Sequence, residues 1–405
     1  MKKFFQIFIN SYKGLSNESW MLAAVMLINR SGSMVLPFLG IYMTDELGFS
    51  IQQVGLALSC FGIGSVIGSY FGGMLTDKIG EFKVQTTSLF LSAPIFCLLI
   101  FFQTFEAIAL IILVQSIISE TFRPANSVAI TRYAKKENIT RSFSLNRMAL
   151  NLGFSIGPSV GGILSGYSYN LLFIFNGVAF IMAGLVYYFY FRNRTYRNEI
   201  LTVEKINNKE TKDRSPYRDI PFLIFCLFCT IFSVAFFQFL NTMPIFYRDV
   251  AKLSSTMVGI VLGFNGLVIV SLEMILVNFA ERKFSIKQVH VIGALLSAFA
   301  YFILGIDHAV FFIFLSMFFL SVGEILALPF MSTLTAMRAG ITNKGAYMGL
   351  NGIAFSLAFI ISPILCTFIA ETYGFTTLWF VSASVLCFTA IGFHFIIPKM
   401  KLKNT

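Results

Sequence analysis

Charge is what this 405-residue chain has least of. Asp, Glu, Lys and Arg make up 12% of it, about half the roughly 25% share of a soluble domain. A chain so poor in charge cannot cover a globular surface in water. Histidine is scarcer still. His290, His308 and His394 are the only three, they fall at or near the ends of apolar stretches, and they form no cluster that would hold a metal. The six cysteines, Cys60, Cys97, Cys226, Cys229, Cys366 and Cys387, all lie inside apolar stretches. Cys226 and Cys229 have the spacing of a metal-ligand pair, but no second pair or histidine accompanies them, so membrane packing is their expected role. No glycine-rich phosphate loop is present, and no polar segment is long enough for a nucleotide-hydrolysing domain. No cofactor is expected, and membrane-enzyme chemistry lacks the clustered His, Asp or metal set it needs. Residues 1–19 carry Phe4, Phe5, Ile7, Phe8 and Ile9 but no small-residue cleavage site. They read as a short amphipathic segment on the inner leaflet and not as a secretory leader.

In place of charge there are apolar side chains, 57% of the residues, with 48 phenylalanines and a mean hydropathy of +0.78. A bilayer-spanning helix needs about 20 mostly apolar residues, and twelve such stretches can be read. In order, spans 1–6 cover 20–42, 52–74, 84–104, 107–131, 144–166 and 170–191; spans 7–12 cover 220–247, 256–279, 287–306, 309–336, 346–370 and 375–397. The fold class is thus all-α and membrane-integral. Residues 20–191 and 220–398 are expected to form two six-helix bundles, with 1–19 and 399–405 as terminal segments. Between the bundles, 192–219 holds eight basic and five acidic residues and reads as a flexible link.

An even number of spans puts both termini on one side. On that side the N-terminus contributes three Lys or Arg, loop 2–3 two, loop 4–5 five and loop 6–7 eight; loop 8–9 contributes three, loop 10–11 two and the C-terminus three. That makes 26 of the 30; Arg248 and Lys252 lie on the opposite side, and Arg30 and Arg123 lie inside spans. Positively charged loops stay in the cytoplasm, so both termini are expected there. The net charge of +11 is a topology signal. It is spread over seven segments and not gathered on one face, so no nucleic-acid partner is expected. The abundance of Phe, Lys and Asn suggests a bacterial source, and with it the cytoplasmic membrane.

Residues 116–158 recur 205 positions later. Ser116, Pro124, Ser127, Ala134, Asn138, Leu145, Asn146, Ala149, Leu152, Phe154, Ile156 and Pro158 match Ser321, Pro329, Ser332, Ala339, Asn343, Leu350, Asn351, Ala354, Leu357, Phe359, Ile361 and Pro363 without a gap. A period near half the chain is too long for a solenoid. It fits two homologous halves related by an axis along the membrane normal, a layout known among transporters.

Two motifs carry more specific meaning. At the basic end of span 2 stands Gly73-Met74-Leu75-Thr76-Asp77-Lys78-Ile79-Gly80-Glu81-Phe82-Lys83. It resembles the signature loop of the major facilitator superfamily, G-x-L-x-D-[RK]-x-G-[RK]-[RK], at Gly73, Leu75, Asp77, Lys78 and Gly80. It departs at Glu81 and Phe82, which implies a weakened or rearranged basic lock on the gate. A worn copy, Ala280-Glu281-Arg282-Lys283, stands 204 positions later. In span 5, Gly153-Phe154-Ser155-Ile156-Gly157-Pro158-Ser159-Val160-Gly161-Gly162 resembles the superfamily element G-x-x-x-G-P-x-x-G-G at every defining position. Small residues four apart let helices pack backbone to backbone, and Pro158 removes a helix hydrogen bond. In that superfamily this element is characteristic of proton-coupled exporters. The resemblance covers about residues 15–398 and implies a functional monomer.

A charged group at membrane depth is costly and marks function by default. Arg30 lies in span 1, Glu120 and Arg123 in span 4, Glu273 in span 8 and Glu324 in span 10. Glu120 and Arg123, three apart, can pair. The resemblance implies that spans 1, 4, 7 and 10 line a central cavity. Glu120, Glu324 and Glu273 are the candidates for proton coupling. Burial penalises a charged carboxyl and a nearby Arg favours it, so a change of access can change protonation. Arg30, Arg123, Gln238, Asn241 and Asn351 are the substrate-cavity candidates. Arg123-Pro124-Ala125-Asn126-Ser127 only partly resembles the superfamily's R-x-x-Q-G element. Val25, Met26 and Asn29 stand where peptide symporters of that superfamily have glutamates before the Arg, which argues against peptide uptake. The expected function is transport of a small molecule by alternating access, with proton-coupled efflux of amphipathic or drug-like compounds favoured. Uptake of a nutrient, peptide or siderophore by the same fold is the alternative, and a membrane sensor or enzyme the remote one. The expected partners are the substrate, protons and the lipid bilayer.

Overall fold

The computed structural model describes residues 10–32, 35–165, 167–207, 215–340 and 342–400. Every regular element among them is helical. Span 1 is Asn17–Ser31, resumed by Val35–Ile41 and a wide turn at Tyr42–Glu46. Span 2 is Ile51–Ile79, span 3 Glu81–Leu98, span 4 Phe105–Glu120 with Phe122–Tyr133, span 5 Ile139–Ser165 and span 6 Tyr169–Asn207. Span 7 is Ile220–Phe237 with Thr242–Asp249, span 8 Ser255–Lys283, span 9 Ile286–Ile306, span 10 Val310–Arg338, span 11 Lys344–Tyr373 and span 12 Phe375–Ile396. Among the described residues, nine of these are long and apolar enough to cross a membrane by length and composition alone. Span 1 falls short because it is broken. Span 3, 18 residues long, falls short because its first turns hold Glu81, Lys83 and Gln85. Span 6 runs on as helix to Asn207, into the stretch expected to be a flexible link. Residues 208–214 of that link, 1–9 and 401–405 lie outside the described residues.

Local chemistry accounts for the helix ends. Ser50 and Ser285 begin spans 2 and 9 with capping boxes closed by Gln53 and Gln288, each satisfying two orphan amides. Gly80, at φ 86° and ψ 152°, makes the turn between spans 2 and 3 in a region that disfavours a side chain. Proline sets two of the breaks. Pro124 and Pro244 cannot donate to the carbonyls of Glu120 and Leu240, and their rings crowd those carbonyls. Spans 4 and 7 divide there. Pro329, the repeat partner of Pro124, sits inside the unbroken helix of span 10.

Each half has its own core. Spans 1–6 pack around Leu22, Leu89, Phe122, Phe173, Ala183 and Tyr187, all fully or almost fully buried. Spans 7–12 pack around Phe222, Phe225, Tyr247, Tyr301, Met317 and Trp379. Polar ties cross each core: Gln85 Nε2 donates to the Tyr187 hydroxyl at 3.1 Å, and the Tyr301 hydroxyl donates to the Ala235 carbonyl. Ala336 and Met348 of the second half join the core of the first. The halves therefore meet at the end where loops 4–5 and 10–11 lie, called here the basic side.

Candidate functional site at the seams between the halves

Two seams join the halves, and they differ in chemistry. The first, between spans 2 and 11, is built from small residues. A Cβ on Gly73 would stand 2.5 Å from the Gly345 carbonyl oxygen, and one on Gly349 would stand 2.6 Å from the Ser69 oxygen. The Ser65 and Ser356 hydroxyls bond across at 2.7 Å. Backbones come this close only where side chains are absent. Asp77 closes the seam. It accepts the Gly345 N–H at 2.6 Å and the Ala346 N–H at 2.7 Å. These are orphan amides in the first turn of span 11, and a carboxylate there also meets the positive end of the helix dipole. Lys78 is exposed. Glu81, where the signature loop has a basic residue, is buried and takes Arg132 Nη1 of span 4 at 2.5 Å.

The second seam joins span 5 to spans 8 and 10, and it is ionic. Glu281 meets Arg141 Nε at 3.3 Å. The internal repeat relates this pair to the first seam. Glu281 stands 204 positions after Asp77, and Thr140 and Arg141 stand 205 before Gly345 and Ala346. Six residues further along span 5 is Arg147. Its Nε lies 2.9 Å from Glu273 Oε1 and its Nη1 2.6 Å from Glu324 Oε1. The side chains are 12%, 0% and 4% exposed, respectively. Asn265 Nδ2 donates to the other oxygen of Glu324 at 3.2 Å and to Ser321 Oγ at 2.9 Å. Arg147, from the first half, thus holds two acids of the second.

Sequence reading missed Arg147. It was counted among the five basic residues of loop 4–5, although it lies inside predicted span 5. The signal was charge balance: Arg30 and Arg123 alone leave three glutamates inside the spans short of one cation.

The third cluster sits in the first half. Arg123 Nη2 lies 2.9 Å from Glu120 Oε2 across the break at Thr121, so the pair forms although span 4 is not one helix there. Glu120 is 3% exposed and Arg123 39%. The Arg30 guanidinium lies 5.5 Å from the Phe154 ring centroid. Glu120 and Arg123 are its charged neighbours. Arg30, Ser119, Glu120 and Asn176 line a narrow pocket walled by Phe61, Phe96 and Phe180. The backbone of Arg30 and Ser31 is approached by span 5 at Gly153 and Gly157, where an added Cβ would stand 3.0 Å and 3.1 Å from it. Gly161 is buried. Pro158 and Gly162 belong to the helix, but their surroundings lie outside what is described.

The other candidates are in local service. Gln238, buried in the span 7 break, donates to Ser382 Oγ of span 12 at 2.9 Å. Asn241 donates to the Phe237 carbonyl at 3.0 Å. Asn351 is buried in span 11. Its repeat partner Asn146 ties spans 1, 4 and 5, accepting from Asn126 at 2.9 Å and donating to the Leu22 carbonyl at 3.2 Å. Among the described residues, no group of three His, Cys, Asp or Glu could hold a metal.

With this geometry in view, residues 21–339 and again 252–404 match the sequence model of the Major Facilitator Superfamily. The chain belongs to that superfamily. An uncharacterized MFS-type transporter of Bacillus subtilis, YttB, is 26% identical over 360 residues, covering 87% of this chain and 88% of the relative. The multidrug resistance protein MdtH of Proteus mirabilis is 24% identical over 336 residues, 82% of this chain and 81% of MdtH. Among solved structures, the human organic anion transporter MFSD10 superposes with a TM-score of 0.73 at 14% identity, over 93% of this chain and 98% of that one. A bacterial homologue of the iron transporter ferroportin, in its outward-facing state, gives 0.72 at 15% identity with the same coverage. At such identities the solved structures show the fold alone. As a major facilitator, the chain is a multi-pass membrane transporter of a small molecule, with the superfamily's twelve-helix architecture.

Proposed function

We propose that the chain exports amphipathic or drug-like compounds in exchange for protons across the cytoplasmic membrane of a bacterium. The basic side and both termini face the cytoplasm, and residues 20–191 and 220–398 rock as two bodies around a central site in a working monomer. One observation carries the coupling: two buried acids, Glu273 and Glu324, share a single guanidinium, the mostly covered Arg147, at a seam that must part when the cytoplasmic side opens. Two carboxylates with one cation carry one uncompensated charge, and charge at membrane depth is costly. Parting the seam withdraws Arg147 and admits water, which changes both terms that set protonation. Glu120, held by Arg123 beside Arg30, is the second proton-coupling candidate. Direction rests on the span 5 element Gly153–Gly162 and on relatives such as MdtH, named for multidrug resistance.

The test is proton flux in energised inside-out vesicles, with a pH-sensitive dye and a panel of amphipathic compounds. Compound-triggered alkalinisation of the lumen is expected. Alkalinisation absent across a broad panel, with the protein well expressed, would overturn efflux in favour of uptake.

A further inference from the structure

The two seams are related by the internal repeat, yet the pair of buried glutamates on one guanidinium belongs to the second alone. By the repeat, Arg147 and Glu324 correspond at the 205-residue offset to Gly352 and Ser119, and Glu273, at the 204-residue offset of spans 2 and 8, corresponds to Ser69. At those places the first seam has no charge. Gly352 packs on the Ser69 side chain, so the counterparts of Arg147 and Glu273 touch without a charge between them. The ion cluster is therefore not part of the shared scaffold. It was added to one side of a pseudo-symmetric closure, where it must be parted each time the basic side opens.

Counting charge in the cluster gives its occupancy. Glu273 and Glu324 ionised, with Arg147 charged, sum to −1; one proton on the acid pair gives zero. Other groups nearby do not supply the missing cation. Asn265 and Ser321 are neutral and already bonded to each other. Tyr12, the other titratable group near Glu273, is a phenol and adds no positive charge. Arg141, six residues back on span 5, is matched by Glu281. Glu120, Arg30 and Arg123 form a separate cluster in the first half. An ion pair cut off from water is stable only when its charges are matched. Two carboxylates this close to one guanidinium titrate as a unit.

We infer that the basic-side-closed state holds one proton on the Glu273–Glu324 pair, shared against Arg147, and that opening the basic side releases it. This inference rests on the proposed proton coupling at that cluster and adds its count: one proton per closure. The proton arrives from the outer side. Asn265 of span 8 bonds the other oxygen of Glu324. On opening, Arg147 leaves with span 5, and the pair gives its proton to cytoplasmic water.

The test counts protons by linkage and needs no substrate. Spin labels at Lys136→Cys and Lys283→Cys, on a background lacking the native cysteines, report the distance across the seam in nanodiscs. The ratio of closed to open population is followed with pH. A closed state that binds one extra proton gains tenfold per pH unit of acidification over the range where the pair titrates. Relative to the wild type, Glu324→Gln matches one acid to Arg147 and should lose one proton from the slope, and Glu273→Gln should do the same. Arg147→Gln leaves two unmatched acids and should add one proton, giving a hundredfold per pH unit. Equal slopes in all four proteins would overturn the inference, because a purely structural cluster changes the midpoint of closure and not its proton count. Slopes that follow this pattern in a protein that fails the vesicle assay would retain the site and discard only the direction of transport.

Discussion

At the residue scale, Arg147 is the side chain on which most depends. Removing one partner of a buried ion cluster leaves the rest uncompensated, whereas removing the whole cluster can be neutral. Arg147→Met should therefore cost about 3–5 kcal/mol of stability near neutral pH. Adding Glu273→Gln and Glu324→Gln to it should restore most of that loss, as thermal unfolding in lipid would show. A second buried acid behaves differently. Asp219, at the start of span 7, accepts two bonds from Arg338 at 2.7 and 2.8 Å and one from the Tyr347 hydroxyl at 2.7 Å. Burial alone would raise its pKa, but those three bonds outweigh it and hold the carboxyl below the usual range. A depressed folded-state value means that this stabilisation is complete above the ordinary Asp value of about 3.9 and is lost only as pH falls below it. Between pH 5 and 8, Asp219→Asn should thus lower stability by a constant amount. A loss that varies across that interval would show that Asp219 takes part in the pH response.

At the element scale, the fold follows from where polar residues and prolines fall among apolar helices. The twelve spans and their order were legible because a helix in lipid must be long and apolar. The signature loop gave Asp77, but its partner, the first turn of span 11, could not be read from the chain because the contact joins residues 268 apart. Prolines were visible too, yet not which would break a helix. Pro124 breaks span 4 and Pro329 leaves span 10 intact, although they are repeat partners. Tertiary packing decides that, and the sequence carries no local mark of it. The first seam makes its own claims. Gly345→Val would push a side chain into the Gly73 carbonyl and Asp77 Oδ1, 2.4 and 2.8 Å from the new Cβ. Since backbone cannot yield cheaply, the basic side should stay open. A cysteine placed at buried Thr76 should then react with a water-soluble maleimide, where it is protected when Gly345 is present. Asp77→Asn keeps the hydrogen bonds in part and loses the charge at the helix end, worth about 0.3–1 kcal/mol. It should give an intermediate degree of labelling.

At the scale of the whole molecule, the internal repeat describes how the halves are related, and departures from it indicate where chemistry was added. Asp77 and Glu281 are counterparts at the basic ends of spans 2 and 8; each meets the start of a span from the opposite half. Arg147, Glu273 and Glu324 have no charged counterparts. The sequence showed the two acids because charge in an apolar helix is conspicuous. It concealed Arg147 because that residue stands at the mouth of span 5, where a basic residue also serves as a topology signal. The central claim is that these acids tie proton movement to the parting of the halves. It is tested most directly in proteoliposomes under an imposed pH gradient, comparing a transported compound in the wild type and in Glu324→Gln. The wild type should move the compound uphill against its own gradient. The variant should still exchange it downhill but gain nothing from the pH gradient. Uphill movement undiminished in Glu324→Gln, and again in Glu273→Gln, would contradict the account.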